Sequence, residues 1–127
     1  MKFLLIVAML SVCVAGCRPR GDPTYAVSFV ELLANKERYV GKRVTIIGYY
    51  VKGDEWNLYL TKEHARIRDY SSGVRVVSDL SVDHCPEDFA VVEGRFSVGD
   101  GLAIEADRLS IYIENEEMGL GPWCDGR

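Results

Sequence analysis

Arg43-Val44-Thr45-Ile46-Ile47-Gly48-Tyr49-Tyr50-Val51-Lys52 decides the fold. Successive side chains of an extended chain point to opposite faces, so Val44, Ile46 and Tyr50 fall on one side and Thr45, Ile47, Tyr49 and Val51 on the other. Gly48 interrupts the run where a long strand must bend sharply or bulge. Working forward, Gly53-Asp54 makes a turn, and Trp56, Leu58 and Leu60 line the inner face of a second strand. Thr61 to Asp69 is charged and holds one or two helical turns with Thr61 as cap. Val74 to Ser78 is a third strand, and Asp79 to Asp88 a connection containing Cys85-Pro86. Phe89 to Val98 places Val92, Phe96 and Val98 inward. After the tight turn Gly99-Asp100-Gly101, Leu102 to Ile113 forms the last strand. Its pattern changes face near Asp107-Arg108, which predicts a bulge.

Working backward, Ser28 and Glu31 have the spacing of a capping box, and Val27 can staple onto Leu32. Phe29, Val30, Leu32 and Leu33 make a buried stripe, with Glu31, Lys36, Glu37 and Arg38 facing water. Gly41 ends this helix, at a position where positive φ favours glycine. The reading is therefore mainly β: a five-stranded Greek-key barrel preceded by one N-terminal α-helix.

That order resembles the bacterial OB-fold lipoproteins and periplasmic OB-fold proteins, of the tRNA-anticodon-like OB superfamily. The resemblance is carried by Leu32-Leu33-Ala34-Asn35, by Tyr39-Val40-Gly41-Lys42-Arg43-Val44 with Gly48, by Leu58-Tyr59-Leu60 and by Val91-Val92-Glu93-Gly94-Arg95-Phe96. It covers Ser28 to about Tyr112 and implies a small, partly open barrel without an enzymatic role. The chain departs from many OB-folds in placing its clear helix before the first strand. Asp79–Asp88, where a helix usually joins strands three and four, is weakly helical.

Upstream, Lys2 and the apolar run Phe3–Val14 form a secretory signal too short to stay in a bilayer as a spanning helix. Val14-Ala15-Gly16-Cys17 resembles the lipobox of bacterial lipoproteins, which makes Cys17 the expected lipidation site and mature N-terminus. The expected organisation is a signal peptide over 1–16, a lipidated tether over 17–27, a barrel domain over 28–113 and a C-terminal tail over 114–127. From Arg18 to Thr24 the tether reaches about 23 Å when fully extended. The implied address is the bacterial cell envelope, lipid-anchored and facing the periplasm. Arg18 follows the cysteine where many inner-membrane lipoproteins carry a retention aspartate, which favours the outer membrane. With Cys13 in the signal and Cys17 acylated, Cys85 and Cys124 remain for one disulfide in an oxidising compartment. Two free thiols are the alternative. A metal site is not expected, because neither thiol has C-x-x-C spacing and His84, beside Cys85, is a sequence neighbour of the kind that seldom shares an ion.

The chain carries a formal charge of −4, and removing residues 1–16 with Lys2 leaves −5. An acidic surface repels phosphate backbones and anionic headgroups, which counts against nucleic acid as a partner. No catalytic residues emerge. His64 and His84 lack a nucleophile at a usable spacing, and the paired carboxylates Asp54-Glu55, Glu87-Asp88 and Glu116-Glu117 are sequence neighbours. No cofactor is called for. The candidate ligand face is Lys52, Tyr59, Lys62, Arg66, Arg68 and Arg75, accompanied by His64. These cations concentrate on an acidic background where OB-folds present their ligand surface, with Tyr59 expected to point outward. The structural alternative is a solvated strand edge guarded by cations. The expected function is a non-catalytic envelope binding module for a protein, peptide or glycan, held at the membrane by its lipid. A nucleic-acid or oligosaccharide-binding OB domain and an inhibitor of a host hydrolase are the alternatives.

Overall fold

The computed structural model describes residues 21–69, 71–115 and 119–126, so the expected signal segment and the expected lipidation site Cys17 lie outside the described residues. Strands β1 (Thr24–Ala26), β2 (Arg43–Val51), β3 (Trp56–Tyr59), β4 (Val74–Val77), β5 (Phe89–Val98), β6 (Leu102–Asn115) and β7 (Gly119–Asp125) belong to one sheet. Five of them close a barrel. β2–β3 and β3–β4 are antiparallel, β4–β6 is parallel, and β6–β5 and β5–β2 are antiparallel. The result is a small mixed barrel, consistent with an OB-like fold.

β2 shows why the alternation matters. Val44, Ile46, Gly48 and Tyr50 are buried, as the period of two requires. The strand changes partner along one edge, pairing with β1 at Arg43–Thr45 and with β3 at Tyr49–Val51. Gly48 sits between these stretches. A Cβ there would lie 3.0 Å from both the Phe29 ring and the Tyr59 carbonyl oxygen, so the glycine seats the helical segment on the strand. β6 divides its edge similarly, giving Arg75–Val77 of β4 a partner at Ala103–Glu105 and β7 a partner at Ser110–Asn115. Residues 119–125, expected to lie in a pinned tail, form a strand, and Thr24–Ala26, expected to lie in the tether, form another.

The single helix expected from Ser28 to Gly41 is two short ones, α1 (Phe29–Ala34) and α2 (Lys36–Tyr39). Asn35, at φ −126° and ψ 38°, breaks the run. Ser28 caps α1 as read, its hydroxyl accepting from the Glu31 N–H at 3.1 Å. The reciprocal half of the box is replaced, because the Glu31 carboxylate accepts from the Tyr39 hydroxyl at 3.2 Å. Phe29 and Leu32 are buried, whereas Val30 is 58% exposed rather than part of the stripe. Gly41 terminates the segment at φ 76°.

The core comprises Phe29, Leu32, Val44, Ile46, Tyr50, Leu58, Val74, Val92, Phe96, Ile104, Leu109 and Ile111 with smaller neighbours. Burying each of the larger side chains is worth about 1.5–3 kcal/mol, and the core is the main source of stability. Val98, expected inside, is exposed at the end of β5. The bulge read at Asp107-Arg108 is present: Glu93 faces Arg108 and Gly94 faces Ala106, leaving Asp107 unopposed. The extra residue turns Asp107 toward Arg43, which donates to its two carboxylate oxygens at 2.6 and 3.1 Å and to Glu93 at 3.1 Å. Opposite the bulge the backbones approach so closely that a Cβ on Gly94 would lie 2.1 Å from the Glu105 carbonyl oxygen.

Two consequences are measurable. Gly94→Ala forces a backbone shift at the seam and lowers stability by at least about 2 kcal/mol in urea unfolding; a loss below about 0.5 kcal/mol would show that the seam yields freely. The hydrogen bonds from Arg43 hold the Asp107 carboxyl below the ordinary aspartate value. A carboxyl depressed in the folded state adds stability at neutral pH that is lost as pH falls below its ordinary value near 4. Asp107→Asn therefore makes the melting temperature less sensitive to pH over that acid range, and an unchanged acid slope would refute the linkage.

Candidate functional site

Lys52, Asn57, Tyr59, Ala65 and Arg68 surround a cleft of about 330 Å³, with Asp54 and Glu55 on its rim. It is built by the end of β2 and the turn after it, by β3, and by α3 (Lys62–Arg66) with the turn that follows. Thr61 caps α3 as expected, accepting from the His64 N–H at 3.3 Å and lying 2.8 Å from His64 Nδ1. His64 is thus engaged in starting the helix rather than turned to the cleft. Ala65 is the residue of α3 buried against the barrel.

The helix ends in a Schellman arrangement. The Arg68 N–H reaches the Ala65 carbonyl and the Asp69 N–H reaches the His64 carbonyl, each at 3.2 Å. The residue after the cap must then enter the left-handed region, usually as glycine. Here it is Arg68, at φ 49°, the one non-glycine residue with positive φ among the described residues. For an L-residue with a Cβ that conformation costs about 1–2 kcal/mol. The following turn is held from within: Asp69 accepts from the Ser71 N–H at 3.2 Å, from the Ser71 hydroxyl, and from the Ser72 hydroxyl at 2.8 Å. Those bonds keep the Asp69 carboxyl below its ordinary value.

The sequence-predicted face is only partly assembled. Lys52 and Arg68 share the cleft. Lys52 is anchored, its ammonium donating to the Asp83 carbonyl and its N–H to Glu87 Oε1 at 3.0 Å. Lys62 and Arg66 are exposed on α3 and make no ion pair among the described residues. Arg75 lies apart, in a shallow groove with Trp56, Val76 and Val77, where it pairs with Glu55 at 3.5 Å. Tyr59 is the correction. It lies on the face of β3 away from the barrel interior, as expected, but α3 covers it: it is 3% exposed with its ring against Gly73, so it forms a wall of the cleft rather than an open stacking platform. Asp54 and Glu55, set aside from sequence as an adjacent carboxylate pair, also line the cleft, as does Asn57 of β3, which nothing in the sequence singled out. Ile67, 75% exposed between Arg66 and Arg68, was likewise missed.

Cys85 and Cys124, separated by 39 positions in sequence, are joined in a disulfide that ties the 79–88 connection to β7. In the chain-entropy model such a loop is worth about 4 kcal/mol. Among the described residues no helix is long and apolar enough to cross a membrane.

Replacing Arg68 separates its backbone from its charge. Arg68→Gly relieves the left-handed strain and raises stability by up to about 1 kcal/mol, whereas Arg68→Ala keeps the Cβ and gains nothing. Equal unfolding midpoints for the two variants would show that the turn stores no strain. No protein-family model matches the chain, and no curated protein matches it.

Proposed function

We propose that this protein is a non-catalytic binding module of the bacterial envelope, lipid-anchored through Cys17, which docks an acidic protein or peptide at the cleft beside α3. The observation that carries the reading is Arg68, an arginine held where the helix terminus calls for glycine, on the rim of a cleft. Local strain of this kind persists where the residue serves something other than the fold. The exposed cations Lys62 and Arg66 and the apolar Ile67 extend the same surface. A cationic patch with an exposed apolar side chain at its centre suits a macromolecular partner better than a small solute. The net negative charge of the whole chain keeps this patch distinct from a nucleic-acid surface, which needs cations over a far wider area. The disulfide supports an oxidising compartment.

The topology supports an orientation for the anchored module. β1 enters beside Arg43, and Asp22 just before it pairs with Arg95 at 3.1 Å. The cleft lies at the other end of β2, a strand of nine residues spanning about 26 Å at its full extent. A tether arriving at the Arg43 end leaves the cleft turned away from the bilayer, toward partners in the periplasm or cell wall.

The reading is tested in two steps on the full chain. Cys17→Ser moves the protein from the membrane pellet to the soluble fraction, and retention in the pellet would overturn the anchor. Cross-linking in intact envelopes then yields an adduct that is lost when Lys62, Arg66 and Arg68 are changed together to Glu, with the far-ultraviolet circular dichroism unchanged. An adduct of equal yield in that variant would overturn the assigned face.

A further inference from the structure

His84, Cys85 and Cys124 converge at the corner where the 79–88 connection is bonded to β7, and their ligand atoms all lie within 4.8 Å of one another. Sequence neighbours normally diverge, but here a turn closes between them and the strand: the Cys85 N–H bonds the Val82 carbonyl at 2.9 Å. That turn brings the far nitrogen of the His84 ring, Nε2, to 3.7 Å from Cys85 Sγ. Cys85 is buried, Cys124 half-buried and His84 exposed, so the group has a dry floor and an open side.

We infer that reduction of the Cys85–Cys124 bond converts this corner into a three-ligand site for a thiophilic d¹⁰ cation, zinc(II) or copper(I). Zinc–sulfur bonds of about 2.3 Å and zinc–nitrogen bonds of about 2.0 Å at tetrahedral angles put sulfur and nitrogen about 3.6 Å apart and the two sulfurs about 3.8 Å apart. The sulfur–nitrogen edge is therefore already formed in the oxidised protein. The sulfurs must separate from a bonded distance of about 2.0 Å, a change of less than about 2 Å that side-chain rotation supplies. The Cα atoms, 5.8 Å apart, need not move. Two thiolates and an imidazole are soft to borderline donors, which excludes magnesium and calcium and selects zinc(II) or copper(I).

The chemistry balances with a dithiol as reductant. The dithiol delivers two electrons and two protons, the Cys85–Cys124 bond breaks to two thiols, and the dithiol leaves as its own disulfide. The cation then forms two bonds to sulfur and one to Nε2, displacing the two thiol protons to solvent, with its fourth position open to water. The oxidised disulfide has no thiolate to offer, so metal affinity is gated by redox state. The site uses neither the lipid anchor nor any residue that lines the cleft.

The test uses the full chain in detergent with Cys13→Ser and Cys17→Ser, so that two thiols remain. The protein is reduced with dithiothreitol, desalted without oxygen and titrated with cobalt(II), whose thiolate charge-transfer absorption reports coordination, followed by displacement with zinc(II) or copper(I). One equivalent binds the reduced protein and none binds the oxidised protein. His84→Ala weakens binding by at least about tenfold, while His64→Ala leaves it unchanged. Equal cobalt uptake by both redox states, an unaltered affinity in His84→Ala, or a fold lost on reduction and not regained with one equivalent of zinc(II) would each overturn the proposal.

Discussion

The close approach of β5 and β6 at Gly94 is the constraint on which the barrel depends. β5 pairs along one edge with β2 and along the other with β6, so it joins the two other long strands. The register with β6 shifts between Glu93 and Gly94, and the Glu105 carbonyl lies where a side chain at position 94 would begin. A strand with a Cβ there would be held away from β6, and the curvature that brings β6 onto β4 would be lost. The bulge supplies the other half of the same device, since an extra residue on one strand increases local twist. Closure also leaves few unpaired edges, with β1 and β7 covering the stretches of β2 and β6 that the barrel strands do not use.

The ion pairs around this seam are secondary. Arg43 bridges Glu93 and Asp107, but the Asp107 side chain is 55% exposed, and pairs so placed contribute at most about 1 kcal/mol. The apolar core is many times larger, and no polar or charged residue is buried in it among the described residues. One polar atom departs from that pattern. The Tyr50 hydroxyl is fully enclosed with no hydrogen-bond partner, and burial together with the carboxylates of Asp83 and Glu87 pushes its pKa up. It stays neutral, and its ring packs edge-on against Trp56 with centroids 6.1 Å apart. An unmet hydroxyl costs about 1–3 kcal/mol, so the core holds a larger aromatic than it can fully satisfy.

Most of the barrel was legible because its signals are local. The alternation of β2, the caps at Ser28 and Thr61 and the face change at Asp107 each depend on a few neighbouring residues. The disulfide followed from counting cysteines once Cys13 and Cys17 were set aside. What escaped depends on the closed form. Leu58 and Tyr59 are adjacent yet both buried, because the barrel interior covers one side of β3 and α3 covers the other. A period of two has no way to express a strand buried on both faces. β1 and β7 are extended segments whose pairing is decided by the edges left open on β2 and β6, which no local pattern encodes. The break at Asn35 likewise reflects where α2 and Tyr39 must go, since that ring reaches Glu31 and sits edge-on to Tyr25.

The candidate site was the least legible part, for a reason that bears on its use. Composition marked a cationic segment, and the fold divides it: Arg75 is taken up by the Glu55 carboxylate, Lys52 by the Asp83 carbonyl, and Lys62, Arg66 and Arg68 remain exposed. Cations enlisted by a neighbouring carboxylate or carbonyl position the β2–β3 turn, whereas those without an ion-pair partner among the described residues are open to an acidic ligand. Arg68 belongs to the second group and sits in the strained position, so the same side chain that burdens the turn is the one turned to the cleft. Where a local rule is broken without a gain in packing, the compensation has to come from outside the fold. On the proposed function, that compensation comes from the ligand docked at the cleft, beyond the end of β2 opposite its pairing with β1.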